Sequence, residues 1–239
     1  MHARILRPPG RSAGPVVMVH GLGVSAASLG PLAERLSERR LVVVCDLPGF
    51  GLTEADRVWS TPDAAAALDA FLAARGLGPV ALVGHSWGCH VACLAAARRP
   101  EAAAAVALLS PAFDDLPGGA LGQVLRLTAD APMERPSLVA GGARDYLRAG
   151  PRRVLSTLRE ASGLPLGDLV AGVPAPVLIV RGRRDPLTTA RWASALAERA
   201  GGAHVAEIPR AAHGLGHDAP TAVAGALEAF LAAIGRQRL

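Results

Sequence analysis

The chain contains no lysine and no asparagine, and only one tyrosine. All 25 of its basic residues are therefore arginine, which beside the abundant alanine looks like the codon bias of a GC-rich genome. Aromatic residues make up only 3% of the 239 residues, too few for the stacking platforms that hold single-stranded nucleic acid. The arginines are dispersed, so the net charge of +5 describes a solvated surface rather than a phosphate-tracking groove. No nucleic-acid partner is expected. No stretch approaches the ~20 uninterrupted apolar residues of a membrane span, so none is expected to cross a bilayer. The start, Met1-His-Ala-Arg-Ile-Leu-Arg-Pro-Pro, has no apolar core of a secretion signal, and a cytoplasmic location is expected. Cysteines number three (Cys45, Cys89 and Cys93) and form no even framework; they read as small core thiols in a reducing compartment. No H-E-x-x-H or clustered metal ligands occur, and Gly21-Leu22-Gly23 lacks the third glycine of a dinucleotide fingerprint. Neither a metal nor a cofactor is expected.

Half of the residues are hydrophobic, enough at this length to fill one large core. Short apolar runs alternate with amphipathic stretches, the pattern of a parallel sheet covered on both faces. Strands are expected at 16–20, 41–45, 80–84, 105–109, 177–181 and 204–208, with one more within 2–7. Helices are expected at 29–39, 62–75, 87–98, 188–199 and 220–234. Thr61 reads as the cap before Pro62, and Asp218 stands just before Ala219-Pro220. The alternation breaks over residues 113–172, a Gly-, Pro- and Arg-rich stretch with helical patches at 121–129 and 146–159. A break this long inside a compact domain is usually functional.

The run at 80–84 ends in Gly84-His85-Ser86-Trp87-Gly88. A buried strand that reverses into a helix with serine at its apex forces φ > 0 at that serine and admits only tiny side chains two places either side. With 11 serines and 27 glycines, chance alone supplies about 0.14 such patterns per chain, so its strand-to-helix setting must sharpen it. Upstream, a strand runs into His20-Gly21-Leu22-Gly23, a turn that leaves backbone N–H groups free to face a negative oxygen. Downstream, Asp185 follows the strand 177–181 and His213 follows the strand 204–208. The order is serine, acid, histidine.

Through these stretches (16–23, 46–53, 80–88, 177–186 and 208–213) the chain resembles the α/β-hydrolase fold family, in its compact bacterial group of serine esterases, haloperoxidase-like enzymes and C–C hydrolases. The resemblance spans nearly the whole chain, but only fifteen residues precede the strand at 16, where relatives usually carry a full hairpin. It implies a mostly parallel, doubly wound sheet of about seven strands, with residues 1–112 and 173–239 as core and 113–172 as a small helical cap or lid. It further implies Ser86 as nucleophile, His213 as general base and Asp185 as its acid, with the backbone N–H groups of Leu22 and Trp87 as an oxyanion hole.

The acid and the histidine each have rivals. Asp114 and Asp115 follow the strand 105–109, where some relatives carry the acid. His204 opens a strand and His217 precedes Asp218 at a helix start, so a rim and a capping or entrance role suit them better. His20, His85 and His90 read as bracing residues, and the Asp46-Leu-Pro-Gly-Phe-Gly51 turn as loop scaffolding. Trp87 is a candidate wall of the acyl pocket. Arg126, Arg144, Arg148, Arg152 and Arg153 could meet an anionic substrate, but surface positions suit them better. The apolar spacing of Leu121, Val124, Leu125 and Thr128 predicts one inward helix face.

The reading that follows is a monomeric or homodimeric serine hydrolase that cleaves a small ester, thioester or lactone through an acyl-enzyme. Hydrolysis of a C–C bond, or perhydrolysis of the haloperoxidase kind, would use the same triad. A non-catalytic binder of a small ligand on the same fold is the remaining alternative. Aspartate-nucleophile relatives, the dehalogenases and epoxide hydrolases, are excluded by serine at position 86.

Overall fold

Seven strands form one sheet, ordered β1-β3-β2-β4-β5-β6-β7. The computed structural model describes residues 1–112 and 119–237. The strands are β1 (Ala3–Leu6), β2 (Val16–Val19), β3 (Val42–Cys45), β4 (Val80–His85), β5 (Ala103–Leu109), β6 (Val177–Gly182) and β7 (His204–Ile208). Only β1 runs antiparallel, along β3; every other pairing is parallel. The central strands are valine-rich and buried on both faces, as covered parallel sheets require.

Period-two alternation divides their side chains between two cores. Val17, Val19, Val43, Leu82 and Ile179 face one core, which α2 (Thr61–Ala74), α3 (Gly88–Arg98), α7 (Leu166–Ala171) and α8 (Ala190–Arg199) cover. Val16, Met18, Val44, Val83 and Val180 face the other, covered by α1 (Gly30–Ser37) and α10 (Pro220–Gln237). Each fully buried Val or Leu contributes about 1.5–3 kcal/mol, so these two layers dominate the stability of the fold.

Between β5 and β6 the described residues hold four α-helices and no strand: α4 (Gly119–Asp130), α5 (Pro136–Ala149), α6 (Pro151–Ser162) and α7. The short α9 (Leu215–Asp218) precedes α10. No helix among the described residues is long and apolar enough to cross a membrane.

Several local expectations need correcting. Ser60, not Thr61, caps α2: its hydroxyl accepts the Asp63 N–H at 3.1 Å in a reciprocal capping box. Thr61 is fully buried, and its hydroxyl serves the Trp87 indole and Glu160 instead. Asp218 ends α9 and accepts the backbone N–H of Arg135 at 3.2 Å, so it is not a cap for α10. The patch at 146–159 is two helices, broken at Gly150, whose φ of 81° lies in the region that favours glycine. In α4, Leu121 and Leu125 point to solvent, and the inward residues are Gln123, Val124, Leu127 and Asp130.

Candidate active site

The turn after β4 is built as tightly as its glycines suggest. Ser86 stands at φ 53°, a strained backbone that costs about 1–3 kcal/mol and persists only where its surroundings enforce it. Its N–H donates to Leu109 O at 2.9 Å, and its carbonyl accepts the Cys89 N–H at 3.0 Å. A Cβ on Gly84 would stand 2.3 Å from Gly88 O, and one on Gly88 would stand 2.6 Å from Val19 O. Gly21 is equally confined, since its Cβ would approach the Ser86 Cβ to 3.1 Å. The serine is thus pressed against the turn that follows β2.

That turn is held by His20. Its Nδ1–H donates to Gly21 O at 2.7 Å, and its Nε2 accepts the Leu47 N–H at 3.0 Å. Burial lowers its pKa, which keeps the imidazole neutral in this tautomer. Asp46 braces the neighbouring turn by accepting from Ala26 N–H at 2.7 Å, Leu52 N–H at 3.0 Å and His2 Nδ1 at 2.8 Å.

Asp185 and His213 come together from the ends of β6 and β7. His213 Nδ1 lies 3.0 Å from Asp185 Oδ2 and 3.2 Å from Oδ1, so Nδ1 carries the proton and Nε2 is left as an acceptor. Asp185 Oδ1 also accepts the N–H groups of Leu187 at 2.8 Å and Thr188 at 3.1 Å. Burial alone would raise the Asp185 pKa; His213 and these donors outweigh it and hold the carboxyl well below the usual range. Burial would push His213 down, but Asp185 and Asp130 outweigh it, and its pKa stands above the ordinary value. Thr188 Oγ1 and Trp192 Nε1 both donate to Pro111 O at 3.1 Å, tying the Asp185 loop to the end of β5.

Ser86 and His213 both line a cavity of about 840 Å³. Leu22 contributes from the glycine turn, and Val124, Leu127, Leu138, Tyr146, Val154 and Leu158 from the helices between β5 and β6. None of Arg126, Arg144, Arg148, Arg152 and Arg153 lines it; Arg153 instead donates to Arg57 O at 2.6 Å. The Trp87 ring is not a wall either. It is buried in the core, 5.4 Å from the Phe50 ring, with its Nε1–H donated to Thr61 Oγ1 at 3.0 Å. The Trp87 backbone sits at the start of α3, where the first N–H groups have no intrahelical partner.

The other histidines are placed elsewhere. His204 is exposed on β7, His217 pairs with Ser137 Oγ at 3.0 Å, and His90 reaches Leu164 O at 3.1 Å. Burial lowers the His90 pKa to about 4. The three thiols are buried and unpaired with one another, and burial pushes Cys45 and Cys93 up to about 12, which leaves them unreactive. Asp114 and Asp115 lie outside the described residues. Sequence reasoning passed over two residues that touch the histidine loop, Asp130 and Glu134. Their one signal was a carboxyl pair four residues apart beside an apolar stripe.

Strand order, elbow and cavity together define an α/β-hydrolase enzyme: the chain belongs to the Alpha/beta hydrolase family, whose profile matches residues 16–226. It is similar to the pimeloyl-[acyl-carrier protein] methyl ester esterase of Chromobacterium violaceum, 34% identical over 226 residues covering 83% of this chain and 86% of that one. The esterase of the same name from Xanthomonas campestris pv. campestris is 32% identical over 248 residues, covering 92% of this chain and 95% of its own. Among solved structures, a thermophilic esterase from Thermogutta terrifontis superposes with a TM-score of 0.82 at 22% identity, over 98% of this chain and 93% of that one.

Proposed function

We propose that the chain hydrolyses a carboxylic ester of a largely apolar acyl group, with Ser86 as nucleophile, His213 as general base and Asp185 as its orienting acid. The observation that carries this reading is the Asp185–His213 pair, buried and fixed in one tautomer, in the same cavity as a serine held at φ 53°. The relatives named as methyl ester esterases support an ester as the target bond. Helices α4, α5 and α6 serve as the cap, within the insertion 113–172, over the core formed by 1–112 and 173–239, while α7 packs with α3 and α8 on that core. Three buried free thiols fit a cytoplasmic setting.

In the first half-reaction the Ser86 Oγ–H proton passes to His213 Nε2 as Oγ bonds to the ester carbonyl carbon. The oxyanion formed there is met by the N–H groups of Leu22 and Trp87, and Asp185 stabilises the imidazolium. Collapse breaks the C–O bond, and the departing alkoxide takes the proton from Nε2. Water then repeats the sequence on acyl-Ser86, with His213 as base, and releases the carboxylic acid.

An apolar wall gains about 0.8 kcal/mol per buried methylene, so kcat/KM should rise a few-fold with each added acyl carbon until the cavity is full. The test compares acetyl through octanoyl esters with a succinyl ester at two salt concentrations. A salt-sensitive preference for the succinyl ester would overturn the apolar reading and bring the cap arginines into the site.

A further inference from the structure

Three carboxyl groups that this mechanism leaves unused surround the loop carrying the base. Asp130 ends α4, Glu134 lies in the turn before α5, and Asp218 closes α9. Asp130 Oδ1 accepts the backbone N–H of His213 at 3.1 Å, and Glu134 Oε1 accepts that of Gly214 at 2.6 Å. In return, Asp218 Oδ2 accepts the N–H of Arg135 from the cap. Contact is so close that a Cβ on Gly214 would stand 2.2 Å from Leu138 Cδ2 and 2.7 Å from Glu134 Oε2. Among the described residues, two successive amides of the histidine loop are therefore satisfied by cap side chains, and a buried N–H left without a partner is costly.

We propose that Asp130 and Glu134 are positioning residues: through them the cap grips the His213–Gly214 backbone and sets the imidazole against Ser86. The proposal rests on the reading of His213 as the base. It makes the cap part of the catalytic geometry as well as a wall for the substrate.

The grip depends on one proton. Glu134 Oε2 and Asp218 Oδ1 are both buried, and no N–H or side-chain hydroxyl among the described residues reaches either. Two bare carboxylate oxygens cannot be left so, whereas a proton on Glu134 gives it one O–H to donate to a neighbouring carboxylate, Asp218 or Asp130. Burial, reinforced by those two acids, pushes Glu134 up to about 10. The charged or titratable groups facing the cluster are Asp130, Asp218, His213, Asp185 behind it, and His217 beside Ser137. A raised carboxyl pKa favours the folded grip fully below the ordinary carboxylate range, and this contribution is lost as pH climbs toward 10. Asp130, for its part, helps to raise the His213 pKa.

Kinetics on an apolar ester from about pH 5 to about pH 10, with thermal melts, test the proposal in Asp130→Ala, Asp130→Asn, Glu134→Ala and Glu134→Gln. The alanine variants should lose kcat by up to about 100-fold with KM little changed, because a displaced base is misaligned rather than a pocket emptied. Asn and Gln keep the acceptor oxygens and should restore most of kcat. Asp130→Asn should move the acidic limb of kcat/KM to lower pH, and Glu134→Gln should retain activity at alkaline pH where the wild type declines. Should the alanine variants fail to fold, the two conservative variants still decide through their pH profiles. Wild-type kcat and pH profile in all four, or a loss confined to KM, would overturn the proposal. His213→Ala keeps the two readings apart: full ester turnover in that variant would refute His213 as base, whatever the cap variants do.

Discussion

His85 donates its Nε2–H to the backbone carbonyl of His213 across 3.0 Å, so the residue before the serine anchors the residue that follows β7. The two rings stand 5.2 Å apart. Burial, reinforced by His213, lowers the His85 pKa to about 4, and it stays neutral while its neighbour titrates. His85→Ala should therefore lower kcat by about 10-fold or more through a loosened His213, while KM changes little. Steady-state kinetics on a folded variant check this, and unchanged kcat would remove His85 from the assembly.

A fluorophosphonate probe should label the wild type and fail to label Ser86→Ala. Turnover should fall on the order of 10⁶-fold, with only binding and oxyanion contributions left. Mass spectrometry of the labelled protein locates the adduct, and labelling that persists at another serine would move the nucleophile.

Asp185→Asn should lower kcat by about 10⁴-fold, because an amide can donate to His213 Nδ1 and favours the wrong tautomer. Asp114→Asn and Asp115→Asn should change it far less. The reverse order of effects would assign the acid to the end of β5.

The pH profile reports His213 directly. Its pKa is raised above 6.5, so kcat/KM should fall as pH drops through a value above that, when Nε2 becomes protonated. In stability the sign is opposite. The Asp185–His213 ion pair stabilises the fold fully below the unfolded histidine value, and that contribution disappears as pH rises through the raised one. Removal of the acid in Asp185→Asn should shift the kinetic limb to lower pH in whatever activity remains.

The strands were the most readable part of the chain, because runs such as 16–19 and 42–45 are apolar throughout and rich in β-branched valine. Helix starts were less so. Ser60 and Thr61 are chemically equivalent caps, and only the buried indole of Trp87 decides which hydroxyl is spent elsewhere. The cap misled most. Its α4 stripe packs on a cavity instead of a core, so Leu121 and Leu125 remain exposed while Val124 and Leu127 turn inward. Asp130 and Glu134 belong to no motif, and their local sequence does not show that the loop after β7 will bury Asp130 and the Glu134 Oε2 atom. The order serine, acid, histidine was legible from motifs; the protonation device around it depends on contacts 83 and 80 residues apart.

The crowding around the elbow divides the chain's freedom to change. Positions 84, 88 and 182 meet backbone oxygens at 2.3, 2.6 and 2.4 Å from where a Cβ would stand, so almost any substitution there breaks the frame. Val124, Leu147 and Leu155 line the cavity while remaining 40%, 83% and 49% exposed, and none of them belongs to the sheet. Descendants of this sequence can therefore trade one acyl group for another by exchanging a few side chains of the wall. The frame that aims the serine passes unaltered from one substrate to the next.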